Sequence, residues 1–266
     1  SEENKRSIRI SVRNLVEFVL RSGDIDNRRS GNAQKDAMLA GGRIHRKIQK
    51  RMGSGYRAEV PLKHEVTDDE QEIVLSVEGR ADGIFTENGI TVIDEIKGMY
   101  TDVARLEAPI EVHLAQALCY GYFYCCDKDL DGIRLQLTYC NLETEEIRRF
   151  QTDRSKEELE QWFSGVVHEY FKWARYLYHH ELTRDASIRN LEFPYPYREG
   201  QRDLVVSVYR TISRKKRLFI QAPTGIGKTL STVFPAVHAI GEGKGDKLFY
   251  LTAKTVTRTV AEEALR

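Results

Sequence analysis

Cysteine is scarce in this chain: Cys119, Cys125, Cys126 and Cys140 are the only four, and no C-x-x-C pair occurs among them. That spacing argues against a zinc site or an iron-sulphur cluster and leaves reduced, buried thiols as the expectation. No apolar run reaches membrane-spanning length and no signal-type segment opens the chain, so the expected setting is cytoplasmic, with no membrane partner. Neither sign of charge is in excess. With 41 Lys and Arg against 40 Asp and Glu, the formal net charge of +1 says nothing for or against a nucleic-acid partner, because a basic face can be balanced by acidic surface elsewhere. No internal repeat is present. Asp127-Lys128-Asp129-Leu130-Asp131-Gly132 begins like a calcium loop, but Thr138 stands where the closing glutamate belongs, so the segment reads as a turn.

The chemistry-bearing residues concentrate between Gly79 and Gly98. A strand-like run from Ile73 to Glu78 leads to Asp82, a turn at Asn88-Gly89 follows, and a second apolar run covers Ile90–Ile96, which predicts a hairpin. Twist and alternation would bring Asp82 beside Glu95 and turn Glu95 and Lys97 to one face, with Asp94 on the other. Two carboxylates with a lysine suit magnesium, which accepts one or two carboxylates together with phosphate oxygens. Upstream, residues 37–52 read as a helix with Ile44 and Ile48 on one face and His45 beside them. Arg43, Arg46, Lys47, Lys50 and Arg51 crowd that helix and would place phosphate-attracting charge beside the site. Downstream, residues 109–126 read as a helix opened by Pro109, with Gln116 and Tyr120 one turn apart.

The order His45, then Gly79-Arg80-Ala81-Asp82, then Glu95-Ile96-Lys97, then Gln116 and Tyr120, resembles the RecB-like branch of the PD-(D/E)XK nucleases. The resemblance implies a restriction-endonuclease-like α/β fold, a mixed sheet flanked by helices, over about residues 1–185. It also implies a DNA nuclease holding Mg2+ or Mn2+ through His45, Asp82, Glu95 and the Ile96 carbonyl, with Lys97 catalytic and Gln116 and Tyr120 supporting the site or the DNA. Glu59 matches an acidic position common in that branch, while an edge-strand glutamate facing solvent explains it equally well.

A second pattern begins near residue 195. The run 217–221, RLFIQ, precedes Ala222-Pro223-Thr224-Gly225-Ile226-Gly227-Lys228-Thr229 and a helical stretch from Leu230 to Ile240. This reads as strand, phosphate loop and helix, with Thr224, Gly225 and Gly227 shaping the loop, Lys228 reaching the outer phosphates of ATP and Thr229 on its magnesium. Tyr195–Gln201 is similar to an adenine-reading Q motif, with Arg198 within it and Gln201 as the reader, since a carboxamide offers both a donor and an acceptor. Lys247–Thr255 is similar to motif Ia of XPD/DinG-like helicases. These likenesses imply the start of a superfamily 2 DNA helicase with a partial P-loop, RecA-like α/β motor domain. No apolar strand ending in Asp-Glu follows the loop, so the expectation is a nuclease domain over 1–185, a linker over 186–194 and a motor fragment over 195–266 that does not turn over ATP by itself.

Strands near 133–140 and 145–150 and helices near 11–21 and 155–180 complete the expected first domain, with Ser11 as an N-cap. Trp162 and Trp173 are expected in its core and His179-His180 at its surface. The functional expectation is a metal-dependent DNA nuclease, read as an exonuclease, joined to the remainder of a helicase polypeptide and serving DNA repair or end processing. A nuclease fold reduced to a DNA-binding or protein-docking module, and an ATP-dependent enzyme with a structural N-terminal region, are the alternatives.

Overall fold

The computed structural model describes residues 5–21, 31–223, 225–253 and 255–265. The chain divides into two compact units, Ser1–Arg175 and Tyr176–Arg266. No helix among the described residues is long and apolar enough to cross a membrane.

The first unit is built on a six-stranded mixed sheet of β1 (Arg6–Ser11), β2 (Arg57–Thr67), β3 (Ile73–Glu87), β4 (Ile90–Met99), β5 (Gly132–Asn141) and β6 (Ile147–Ser155), in the order β1-β3-β4-β5-β6 with β2 also on β3. Its helices are α1 (Val12–Val19), α2 (Gly31–Arg51), α3 (Glu111–Lys128) and the first part of α4 (Lys156–Arg189), whose residues from Tyr176 on belong to the second unit. The Ser11 hydroxyl accepts from the Asn14 amide at 3.1 Å, as an N-cap should. Asn88 and Gly89 have φ of 52° and 79°, the paired left-handed turn that matches the twist of a tight hairpin.

Alternation assigns the two main helices to opposite faces. Ile44 and Ile48 of α2 form a buried cluster with Ile96 and Cys140. Odd-numbered Leu135 and Tyr139 of β5 instead meet α3, through Gly121 and His113 respectively. Residues Ala115 to Cys125 of α3 are all buried. A helix so fully enclosed reads poorly as amphipathic, and its contacts follow from its place between the sheet and the aromatic cluster of His64, Tyr122, Phe123 and Phe163.

One feature of the register governs the site. β2 lies along one edge of β3, pairing from Val74 to Ile84, so β1 and β4 must share the other edge. β1 takes Ile73–Glu78 and β4 takes Gly83–Glu87, which leaves Gly79 to Asp82 without a strand on that side. On the β2 side the ladder is continuous except at Glu59, which stands opposite Asp82 with a left-handed φ of 55°. Asp82 is therefore the one residue of β3 unpaired along both edges among Ile73–Ile84, although it sits in the middle of the strand and not at its close as expected.

Several expectations need correction. The N-terminal strand β1 was not foreseen, because RSIRIS is half polar and gains its place only by pairing in parallel with β3. The helix expected over 155–180 continues to Arg189, so the first four residues of the stretch expected as linker are helical, with Ile188 buried near its end. Trp173 is 52% exposed and Trp162 half-buried, and the core face of α4 consists instead of Leu159, Phe163, Val166, Val167, Phe171 and Ala174. In the second unit, α5 (Gln201–Ser213), α6 (Lys228–Gly241) and α7 (Thr255–Ala264) form, but the apolar runs 217–221 and 247–251 are not paired as strands. Phe219 is 93% and Leu251 91% exposed. An apolar run becomes a strand only when neighbours supply both a ladder and a face to bury, and the described residues supply neither.

Tyr56, just after α2, closes the far face of this arrangement: its ring lies over Gly83, stacks on Phe85 at 5.7 Å and donates its hydroxyl to Asp94 Oδ2 at 2.9 Å. A Cβ on residue 83 would fall 1.8 Å from that ring. Gly83→Ala is expected to destabilise the first unit by about 2–4 kcal/mol, since neither the ring nor the central strand has room to yield. Chemical denaturation would measure it, and a change below about 1 kcal/mol would show that Tyr56 is free to move aside.

Candidate functional site

The gap between β3 and β4 is where the predicted residues meet. Past Asp94 the edge of β4 facing β3 has lost its partner, and the Ile96 amide donates to Asp82 Oδ2 at 2.7 Å. The other Asp82 oxygen lies 3.3 Å from His45 Nδ1, which α2 brings in. Glu95, 3% exposed, places Oε1 at 2.7 Å from Lys97 Nζ, and Lys97 in turn donates to Gln116 Oε1 of α3 at 2.8 Å. Tyr120, one turn further along α3, reaches into the same gap: its hydroxyl bonds the Arg80 backbone and sits where a Cβ on residue 79 would be, 2.6 Å away. Only glycine at 79 admits it. His45, Asp82, Glu95, Ile96, Lys97, Gln116 and Tyr120 are thus brought from four elements, α2, β3, β4 and α3, to the gap between two strands.

The electrostatics are those of a site short of positive charge. Burial, then the neighbouring Asp82 charge, pushes the Glu95 carboxyl up to about 7, against the opposing pull of Lys97 and His45. Glu95 Oε2 is buried with no hydrogen-bond partner. For His45, burial favours the neutral ring, but the bond to Asp82 and the charges of Asp82 and Glu95 outweigh it and raise the pKa above the ordinary histidine value. Two carboxylates, one with an unpartnered buried oxygen, and an imidazole are the donor types that suit a hard divalent cation, although the donor atoms of His45, Asp82 and Glu95 do not all lie within 4.8 Å of one another.

Asp94, next in sequence to Glu95, shows the contrast. It is fully buried on the opposite face, and Tyr56, Gln136 and Thr138 all donate to it, at 2.9, 3.1 and 2.6 Å. Its carboxylate is saturated. Three residues of this surrounding had no signal in the sequence: Tyr56; Gln49, whose amide donates to the Asp82 carbonyl at 2.9 Å and to Glu59 Oε1 at 3.0 Å; and His113. His113 Nδ1 lies 3.2 Å from the Tyr139 hydroxyl, and burial and the Lys97 charge lower its pKa to about 4. None belongs to a short-range motif. Of the basic residues on α2, Lys47 and Arg51 are paired with Glu145, whereas Arg43, Arg46 and Lys50 are exposed.

In the second unit the phosphate-loop residues cluster at the start of α6. Gly225 and Gly227 have φ of 91° and 77°, as a loop of inward-facing amides needs. Lys228 is folded back on the loop, donating to the carbonyls of Ala222 at 3.0 Å and Pro223 at 3.1 Å. The Arg198 guanidinium bonds the Gly225 carbonyl. Gln201 is 4% exposed, its Oε1 accepting from the Arg198 amide at 3.0 Å and its amide nitrogen packed against Gly227. Thr229 lies in the first turn of α6 and lines a cavity with Tyr195, Gly227, Lys228 and Glu263. Thr224 lies outside the described residues.

No family model matches the chain. Over 48 residues it is 44% identical to a probable ATP-dependent helicase of Methanocaldococcus jannaschii, a stretch that makes up 18% of this chain and 7% of that protein. The chain therefore spans a small fraction of the length of the curated relative it matches. Among solved structures it is similar to the crystal structure of SSO0001, at 17% identity and a TM-score of 0.40, covering 63% of this chain and 77% of that one.

Glu95 carries a measurable cost in the absence of a cation. Its folded pKa of about 7 exceeds the unfolded carboxylate value, so the native state holds the extra proton. The stabilising contribution of the protonated form is complete below about pH 4 and is lost as the pH rises through about 7. Glu95→Gln in chelator-treated protein should therefore stabilise the fold by about 2 kcal/mol more at pH 8 than at pH 5. Equal effects at the two pH values, measured by thermal or urea unfolding, would show that Glu95 titrates normally.

Proposed function

We propose that the first unit is a magnesium- or manganese-dependent DNA nuclease of the RecB-like PD-(D/E)XK type, joined to the beginning of an ATP-dependent DNA helicase and acting in DNA repair or end processing. The observation that carries this reading is the pairing of His45 with Asp82 at the strand gap, next to Glu95, whose Oε2 is buried and unpartnered and whose Oε1 holds Lys97. The helicase half rests on the phosphate-loop cluster and on the 48-residue similarity to a probable ATP-dependent helicase.

In this reading His45, Asp82, Glu95 and the Ile96 carbonyl hold the cation. It supplies Lewis-acid stabilisation of charge on the scissile phosphate and a water of lowered pKa. Lys97 is fixed by Glu95 and Gln116 through two contacts, and its third N–H is left for the attacking water or a phosphate oxygen. Tyr120, through the Arg80 backbone, keeps the gap at its width. The exposed Arg43, Arg46 and Lys50 draw the DNA backbone toward α2. In the second unit Lys228, Thr229, Gly225, Gly227 and Thr224 form the phosphate site for ATP with Mg2+, and Arg198 and Gln201 link that loop to the adenine side.

The decisive assay is cleavage of end-labelled single- and double-stranded DNA with Mg2+ or Mn2+. Glu95→Ala should abolish cutting and Lys228→Ala should leave it intact; uncut DNA that is still bound, with wild type and Glu95→Ala binding alike, would replace the nuclease with a DNA-docking module. Cation affinity should follow the Glu95 proton, rising by up to about tenfold per pH unit below pH 7 and levelling off above it. A flat calorimetric Mn2+ affinity from pH 5.5 to 8 would remove Glu95 from the site.

A further inference from the structure

Asp82 is the centre of the proposed site, yet neither neighbouring strand holds its backbone. On the β4 side its own carboxylate stands in for the missing ladder by accepting from the Ile96 amide. On the β2 side the facing residue, Glu59, turns into the left-handed region, and the Asp82 carbonyl accepts from the Gln49 side-chain amide at 2.9 Å. The same Gln49 nitrogen also donates to Glu59 Oε1 at 3.0 Å. Both hydrogens of that amide are thus spent at the break in the ladder. Gln49 lies four residues after His45 on α2, so the two side chains point along one face of the helix.

We propose that Gln49 is a positioning residue for the cation site: it replaces the absent strand partner of Asp82 and thereby fixes α2 at the height that brings His45 Nδ1 to Asp82 Oδ1. This inference rests on the reading of His45, Asp82 and Glu95 as cation ligands. A glutamine is suited to the task because its amide carries two hydrogens, one for each acceptor at the break in the ladder. The left-handed backbone at Glu59 fits the same account. A non-glycine residue in that region is disfavoured, and here it opens the ladder opposite the one residue whose carbonyl Gln49 takes. Glu59 acts in this arrangement as the second acceptor of the Gln49 amide, not through its charge.

Calorimetric titration of Mn2+ into the full chain tests this, with thermal unfolding of each metal-free variant as the control for folding. Gln49→Met keeps the length and the helix propensity and removes both hydrogen bonds; it should weaken Mn2+ binding by about tenfold, the usual effect of losing a residue that orients a ligand, while a cooperative unfolding transition is retained. Glu59→Gln keeps the acceptor oxygen and should bind Mn2+ as the wild type does, whereas Glu59→Ala, which leaves the amide without its second acceptor, should bind more weakly. Wild-type affinity in Gln49→Met overturns the proposal. So does equal weakening in Glu59→Gln and Glu59→Ala, which would make Glu59 act through its charge, and that comparison decides the matter even if Gln49→Met does not fold. Absence of Mn2+ binding by the wild type is a different failure, which removes the cation site itself and the inference with it.

Discussion

The hydrogen bond from the Ile96 amide to the Asp82 carboxylate stands where a strand ladder would otherwise run, and the arrangement of the first unit depends on it. A central strand that exchanges one neighbour for another leaves backbone groups facing nothing, and each such group, if buried and unsatisfied, costs about 1–3 kcal/mol. β3 makes that exchange between Glu78 and Gly83. The chain answers with side chains in place of strands: Asp82 for the Ile96 amide, Tyr120 for the Arg80 backbone, Gln49 for the Asp82 carbonyl. Filling the gap with a strand would have satisfied the same groups and sealed the sheet. Filling it with a carboxylate and a phenol, while a carboxamide serves the break on the β2 side, satisfies them with side chains from three different elements and leaves the gap unsealed.

The neighbouring acids Asp94 and Glu95 show how one strand separates a structural carboxylate from a chemical one. Alternation sends them to opposite faces. Asp94 meets three donors, which offset part of the burial that raises its pKa. Glu95 meets one lysine and keeps an oxygen with no partner. The first arrangement holds Tyr56, and with it the turn after α2, to the sheet. The second is worse for the fold than an uncharged residue would be at neutral pH, and a buried group that weakens its own fold asks for an explanation outside the fold.

Much of the site was legible in the sequence because its signals are short-range. The spacing of Glu95 to Lys97, the Asn88-Gly89 turn that sets the β3–β4 register, and the Gln116 and Tyr120 pair on one helix face are all fixed within a few residues by strand and helix periods. The α/β class followed from the same periods. What the sequence concealed was non-local. β1 is a strand only because β3 presents an edge 67 residues later, and the break at Glu59 exists only relative to Asp82. Gln49 shows no pattern of its own, since a glutamine on the polar flank of a helix looks the same whether it meets water or a carbonyl. The run 217–221 is the converse error, in which local apolar content suggests a strand whose partners the described residues do not provide.

The two lysines assigned to phosphate chemistry are held in opposite ways, and the difference bears on how each site meets its ligand. Lys97 is already aimed: Glu95 and Gln116 fix its ammonium from two sides, so little rearrangement separates the observed geometry from one that engages a phosphate oxygen. Lys228 instead spends its donors on the carbonyls of Ala222 and Pro223, and Arg198 holds a third carbonyl of the same loop. Under the proposed function a nucleotide entering that loop would exchange those contacts for its own phosphates, which, being charged, make the stronger acceptors. The loop is thus a self-satisfied arrangement, which under the proposed function a ligand would open, while the strand gap is an unsatisfied one, which a ligand would complete. Only the second keeps a permanent electrostatic demand in the absence of any ligand, and that demand is what the buried, unpartnered oxygen of Glu95 expresses.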